Sequence, residues 1–150
     1  MKLFTVLILC CLALTQAFAI EDKYLALLEQ LVNTNSGTKN ISGIAAVRTV
    51  LKTELEKRGL TVQVLGDERK VLTAKFPGTT PNILLIGHLD TVFSVNDEFQ
   101  SIRKEGDKIF GPGVIDMKGG LVMMLNLIDQ LQEKERKNLR KICKSFLPQL

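Results

Sequence analysis

The segment 82–120, NILLIGHLDTVFSVNDEFQSIRKEGDKIFGPGVIDMKGG, is the part of the sequence that most constrains the fold. Its residues 83–86 form an apolar run between a proline–asparagine pair and a glycine, which predicts a buried, central β-strand. Because side chains alternate along a strand, His88 and Asp90 at its carboxyl end are predicted to point the same way. Open α/β folds place their ligand sites at that edge of the sheet. We therefore predict a functional site where this strand ends.

Asp116 follows on a glycine-rich loop and extends this pattern to a partial metal site. A neutral imidazole binds zinc through one ring nitrogen, and its other N–H needs an acceptor, which Asp90 is placed to be. A carboxylate can also bridge two metal ions roughly 3.5–4 Å apart. The loop is shaped by glycines that permit unusual backbone angles and by one stiff proline, namely Gly111, Pro112, Gly113, Gly119 and Gly120.

Each of these residues has a plainer structural interpretation when it is taken alone. A single histidine at the end of an apolar strand, such as His88, is commonly a core residue hydrogen-bonded to a nearby acid. An aspartate just before a helix, such as Asp116, is commonly an N-cap. The joint pattern favours the metal site over these alternatives.

The motifs GHLDTV and GPGVIDMKGG together resemble those of the co-catalytic zinc exopeptidases. This family includes glutamate carboxypeptidases, acetylornithine deacetylase, succinyl-diaminopimelate desuccinylase and the aminoacylases. Residues 31–44 also resemble the opening segment of the glutamate-carboxypeptidase branch, and the whole resemblance covers about residues 22–132. It implies the N-terminal portion of a three-layer αβα catalytic domain. It also implies His88 as a zinc ligand, Asp90 as the acid of the catalytic site that orients it, and Asp116 as the bridging ligand of two zinc ions.

The sequence departs from the family pattern after Asp116. The family continues with a Glu-Glu pair, a general base followed by a zinc ligand, and no such pair occurs here. His88 is the sole histidine of the chain, so the family's distant second histidine is also missing. We therefore expect this chain to bind at most one zinc ion, weakly, and to be inactive by itself.

The first 19 residues are predicted to be a secretory signal peptide. A lysine near the start is followed by an apolar run, and Ala17-Phe18-Ala19 has the small-x-small order of a cleavage site. The apolar run is too short to span a bilayer comfortably. Only Cys143 lies outside this segment, so no intrachain disulfide is expected. The predicted location is secreted or periplasmic.

Local patterns predict the elements that surround the site. Apolar residues recur at helical spacing in 21–33, 42–58 and 117–131. Strands are predicted at 60–65 and 71–76 as an edge hairpin, and a shorter hairpin at 99–104 and 108–110. Strands that alternate with helices predict an α/β domain, whose N-terminal part occupies residues 20–132.

Residues 133–150 form a basic tail that fits this plan poorly. Leu139, Ile142, Cys143, Phe146 and Leu147 recur at helical spacing between lysines and arginines, which predicts a basic amphipathic helix. Such a helix would contact a membrane surface or an acidic partner, or would simply be solvated. An apolar strand is expected at this point of an α/β domain, so we predict that a frameshift or premature stop replaced the native reading frame after about residue 135.

Three functions are compatible with these observations. The first is the N-terminal part of a secreted zinc metallopeptidase that hydrolyses a terminal amide bond of peptides or N-acyl amino acids. The second is a non-catalytic secreted protein that binds a metal or a partner. The third is a nucleotide-binding α/β domain, which is disfavoured because residues 111–120 lack the G-x-G-x-x-G spacing. The net charge of +4 comes largely from the tail, so no nucleic acid is expected as a partner. The sequence does not determine the oligomeric state.

Overall fold

The computed structural model describes residues 21–67, 70–77, 83–134 and 142–146. The helices are α1 (Asp22–Val32), α2 (Ile41–Lys57) and α3 (Gly119–Lys134), and a π-helical turn, Val114–Lys118, leads into α3. The strands are β1 (Thr61–Leu65), β2 (Val71–Lys75), β3 (Ile83–Gly87), β4 (Arg103–Glu105), β5 (Lys108–Phe110) and β6 (Ile142–Phe146). The α/β class predicted from the sequence is confirmed.

The helices begin and end close to the residues that the sequence predicts. Helix α2 is capped by Asn40, whose side-chain oxygen accepts a hydrogen bond from the Gly43 amide at 3.1 Å. It stops before Gly59, whose φ of 76° is a left-handed conformation that favours glycine. Within the part of the chain that the structure describes, no helix is both long and apolar enough to cross a membrane.

Four strands form a mixed sheet in the order β1-β2-β6-β3, while β4 and β5 form a separate antiparallel hairpin. Strands β1 and β2 are the predicted antiparallel hairpin at one edge. Strand β6 lies antiparallel to β2 and parallel to β3. Strand β3, which positions the candidate site, is therefore at the opposite edge of this sheet.

The hydrophobic core lies on one face of the sheet. Leu72 and Ala74 of β2 are buried there, and Leu85 of β3 is partly buried against the same cluster. The remaining buried apolar side chains come mainly from the three helices and include Tyr24, Leu27, Leu28, Leu31, Val32, Ile44, Val47, Leu51, Leu55, Leu121, Val122, Leu125 and Ile128.

The prediction of a buried central strand at residues 83–86 is correct for the strand and wrong for its burial. Leu84 and Ile86 point away from the core and are 56% and 53% exposed. Ile83, at the start of β3, is 52% exposed. The physical reason is that β3 is an edge strand and that, among the described residues, no helix covers this face. An apolar run indicates a β-strand, but the burial of that strand depends on which elements pack against it.

The helix predicted for the tail is also wrong where the structure describes it. Ile142, Cys143 and Phe146 belong to strand β6, in the middle of the sheet. The Cα atom of Cys143 is in register with Lys75 on one side and Leu84 on the other. The two flanking strands present backbone groups that a strand between them can pair, and this pairing overrides the local helical spacing. Residues 139 and 147, like the predicted signal peptide, lie outside the described residues, and the altered reading frame stays a prediction.

A polar network joins the three helices. Arg58, just after α2, donates from Nε and Nη2 to the Asp129 carboxylate of α3 at 2.8 and 2.9 Å. Tyr24 of α1 donates its hydroxyl to the same carboxylate at 2.6 Å. Burial alone lowers the pKa of Arg58, but its hydrogen bonds to Glu54 and Asp129 outweigh burial and raise that pKa above its usual value.

Candidate active site

His88 lies immediately after β3, and both of its ring nitrogens have partners. Nδ1 lies 3.0 Å from the backbone oxygen of Asp90 and 3.3 Å from its Oδ1 atom. Nε2 lies 2.8 Å from Oδ1 of Asp116. The three residues that the sequence predicts as site residues are therefore brought together. Asp90 is 1% exposed, whereas the Asp116 side chain is 72% exposed, so the imidazole stands between a buried and a solvated carboxylate.

The loop that carries Asp116 has the unusual backbone that its glycines predict. Gly113 has a φ of +77°, and a Cβ atom there would lie 2.5 Å from a methyl group of Thr91. Asp116 itself has φ −123° and ψ 94°, which are not helical, and the Asp116–Met117 peptide bond is cis. Asp116 is thus part of an irregular turn and does not cap α3. Its carboxylate is directed to His88, which removes the N-cap interpretation.

Lys118 anchors this loop from inside the protein. Its side chain is buried, and Nζ donates a hydrogen bond to the backbone oxygen of Thr34 at 2.8 Å. Its backbone amide donates to the oxygen of Gly113 at 2.7 Å, which closes the turn around Asp116. Burial lowers the pKa of Lys118 to about 8, because the charged ammonium loses its hydration there. Sequence reasoning did not identify this residue, since a lysine in a polar loop is ordinarily expected at the surface.

A second segment, residues 36–38, is docked along the strand end that carries the site. The Thr91 amide donates to the Ser36 oxygen at 2.9 Å, and the Thr38 amide donates to the Thr91 oxygen at 3.0 Å. Ser36 Oγ donates to the Leu89 oxygen at 2.9 Å. Thr38 Oγ1 donates to Oδ2 of Asp90 at 2.7 Å, so the threonine hydroxyl holds the carboxylate oxygen that His88 does not contact. The sequence predicts a polar turn here, and no local pattern connects it to Asp90.

An apolar cavity of about 360 Å³ opens beside Asp116. Phe93 and Phe99 line it as an edge-to-face pair with ring centroids 5.6 Å apart. Ile109 and Phe110 of strand β5 complete this wall. The carboxylate therefore stands at the border between an aromatic surface and solvent.

The donor atoms at this site are of the kinds that zinc prefers. An imidazole nitrogen and a carboxylate oxygen face each other, and the second ring nitrogen is turned to an acceptor. Among the described residues, however, no group of three or more histidine, cysteine, aspartate or glutamate side chains is arranged to hold a metal ion. His88 and Asp116 thus fit part of a metal site, with fewer than the three protein ligands that catalytic zinc normally has.

Fold and site together define a class of protein: an α/β domain that brings one histidine and two aspartates together at a strand end. The profile of peptidase family M20/M25/M40 matches residues 84–149. Carboxypeptidase G2 of Pseudomonas sp. (strain RS-16) is 38% identical over 115 residues, which are 71% of this chain and 27% of that protein. Succinyl-diaminopimelate desuccinylase of Rickettsia prowazekii (strain Madrid E) is 34% identical over 113 residues, 68% of this chain and 29% of the relative.

The solved structures agree with the sequence matches. An M20 family metallo-carboxypeptidase from Sulfolobus solfataricus superposes with a TM-score of 0.67 at 22% identity, and the match covers 86% of this chain and 31% of that one. The chain thus spans less than a third of the length of these relatives. It matches part of the domain of peptidase family M20/M25/M40.

Proposed function

We propose that the chain is the N-terminal part of a secreted zinc-dependent carboxypeptidase or deacylase that hydrolyses a terminal amide bond of peptides or N-acyl amino acids. One observation carries the proposal. The Nε2 atom of His88 lies 2.8 Å from Oδ1 of Asp116 at the solvent-facing side of the site, while Nδ1 is turned to Asp90. The names of the matched relatives, a carboxypeptidase and a desuccinylase, support the substrate class.

Each of the three residues then has a defined task. His88 would hold one zinc ion through Nε2, and Asp116 would hold it through its exposed carboxylate. The buried Asp90 lies at Nδ1, with its backbone oxygen at 3.0 Å and its Oδ1 at 3.3 Å, and it would keep the imidazole oriented with Nε2 toward the metal. Bound zinc would supply Lewis-acid polarisation of the scissile carbonyl and a water of lowered pKa. The aromatic wall beside Asp116 limits water at one side of the site.

We also propose that the 150-residue chain does not turn over such substrates by itself. A general base must lie within hydrogen-bond reach of the water that it deprotonates. The described residues near Asp116 supply no such carboxylate besides Asp90, which is occupied by Thr38 and His88. His88 is moreover the sole histidine in the sequence.

The experiment is a metal titration combined with an activity assay on the purified chain. Zinc binding is measured by competition with a chromophoric chelator, and hydrolysis is followed with dipeptides and N-acetyl amino acids. We expect weak binding that His88→Ala and Asp116→Asn abolish and that Asp107→Asn, in an exposed hairpin turn, leaves unchanged. No binding in the unaltered chain would overturn the metal site, and zinc-dependent turnover would overturn the proposed inactivity.

A second candidate function rests on the same ligand count. Two protein ligands are enough for a weak metal-binding protein without catalysis, so a non-catalytic secreted binding protein is the alternative. The two functions predict different activities for a longer chain that contains these residues. Hydrolysis by a longer chain that contains these residues, lost in Asp116→Asn, favours the hydrolase, whereas a folded longer chain without turnover favours the binding protein.

The proposed secretion is supported by the order of charges, apolar residues and small residues at the start of the sequence. We expect the exported protein to begin at Ile20. Intact-mass measurement of exported material checks this, and a retained Met1 in that fraction would contradict it.

A further inference from the structure

We propose that the apolar cavity of about 360 Å³ beside Asp116 is a specificity pocket for an uncharged, apolar side chain or acyl group of the substrate. This assignment rests on the proposed function in one respect, namely that Asp116 marks the reacting side of the site. Substrates with an aliphatic or aromatic group next to the scissile amide are then preferred. Substrates with an acidic group at that place are disfavoured.

The lining of the cavity is apolar almost throughout. Besides two glycines and Asp116, it consists of three phenylalanine, two isoleucine and two valine side chains. Among the described residues that line the cavity, Asp116 alone has a charged side chain, and its carboxylate faces His88. The other lining side chains carry no N–H or O–H group. An acidic group would therefore lose its hydration there without gaining a side-chain donor, whereas an apolar group gains from burial.

The size and the aromatic wall of the cavity suit such a group. Its volume lies within the range of small-molecule pockets, roughly 300–1,000 Å³. Phe93 and Phe99 pack edge to face, which is a favourable geometry for two rings. The Arg103 guanidinium lies 5.2 Å from the ring centre of Phe110, but it does not line the cavity, and its Nε is paired with Glu105 at 3.1 Å. This cation is thus already occupied outside the pocket.

A second cavity, of about 490 Å³, shares Val92 and Phe93 with the first and has a different chemistry. Its other lining residues are largely polar and include Lys39 and Ser94. A preference for apolar groups is therefore expected of the first cavity and not of its neighbour. Val95 lines the second cavity and not the first, so it offers a matched control position.

The test is a binding titration of the metal-free full chain with N-acetyl-leucinamide, N-acetyl-glutaminamide and the α-amide of N-acetyl-glutamate. The three side chains have similar volumes and differ in polarity and charge; at about pH 7 the glutamate is ionised. Methyl ¹H–¹³C NMR reports where each probe binds. We expect the leucine probe to shift the methyl groups of Ile109 and Ile115 and not those of Ile83, which is exposed on β3 outside the cavity. It should bind about tenfold more tightly than either other probe.

Variants of Phe99 test the wall directly. The residue is 40% exposed, so a substitution there leaves the core intact. Phe99→Ala should weaken binding of the leucine probe about threefold to tenfold, and Val95→Ala should leave it unchanged. Phe99→Arg places a cation in the wall and should make the glutamate probe bind more tightly than the leucine probe. If circular dichroism shows that the Phe99 variants do not fold, Ile115→Ser, at an exposed lining position, is measured and should weaken the leucine probe likewise.

Three results would overturn the assignment: equal affinities for the leucine and glutamine probes, equal effects of Phe99→Ala and Val95→Ala, or no shift of Ile109 and Ile115 by any probe. These measurements use neither metal nor turnover. Absence of zinc binding would therefore contradict the proposed function and leave the probe preference standing. Zinc binding together with equal probe affinities would overturn the specificity pocket alone.

Discussion

Asp129 of α3 is the centre of the network that joins the three helices, and Asp129→Asn tests what that network contributes. The substitution keeps the shape of the side chain and removes its charge. The side chains of Arg58 and Asp129 are 11% and 19% exposed, so solvent screens their interaction only partly. Removing one partner of a buried ion pair costs roughly 3–5 kcal/mol. Arg58 retains Glu54 at 2.7 Å, so we expect a smaller loss of about 2–3 kcal/mol.

That loss corresponds to a decrease in Tm of roughly 6–9 °C for a chain of this size, measured by circular dichroism together with urea denaturation. The control is Glu56→Gln, which breaks the exposed Lys52–Glu56 pair at 3.3 Å and should cost less than about 1 kcal/mol. A double-mutant cycle with Tyr24→Phe should show a coupling of about 1 kcal/mol with Asp129→Asn. Equal losses in Asp129→Asn and Glu56→Gln would refute the reasoning.

Three further predictions concern the fold. Gly113→Ala should lower the free energy of unfolding by about 2–3 kcal/mol, because a steric clash of the new Cβ adds to the cost of the positive φ. Gly106→Ala, where φ is +57° and the space is open, should lower it by about 1 kcal/mol. Equal losses in urea denaturation would contradict this. Leu125→Ala, at a fully buried position, should cost about 2–5 kcal/mol, and Leu127→Ala, at a position 41% exposed, less than about 1. Burial is the main cause that raises the pKa of Tyr24 above its ordinary value, and the hydrogen bond to the Asp129 carboxylate raises it further. The unfolded chain then ionises first, so the stabilisation is complete below about pH 10 and is lost as pH rises further. A pH series should show this alkaline loss in the unaltered chain and a smaller one in Tyr24→Phe.

The elements that the sequence predicts well are those whose signals are local. The helical spacing of apolar residues, such as Tyr24, Leu27 and Leu28, predicts α1 and α2 to within about a residue at their ends. The same holds for the β1–β2 hairpin, because alternation and a polar turn are contained in a short stretch of chain. In such elements each residue is positioned mainly by neighbours a few places away.

The site was predictable in part for a related reason. His88 and Asp90 are two residues apart at a strand end, so backbone geometry alone predicts that they are adjacent, and the structure has them in contact. Asp116 joins them across 28 residues, as the glycine-rich loop indicates. Ser36 and Thr38 and the buried Lys118 were not predicted as parts of the site, because each depends on a contact with a distant segment that no local pattern records.

The sequence by itself determined helices α1 to α3, the hairpins and which three side chains form the candidate site. The tertiary structure decided where β3 lies in the sheet, and that residues 142–146 form a strand and not a helix. It also decided which hydroxyl holds Asp90. The physical reason is that a helix satisfies its own backbone hydrogen bonds, whereas a strand and a buried carboxylate must find their partners elsewhere in the chain.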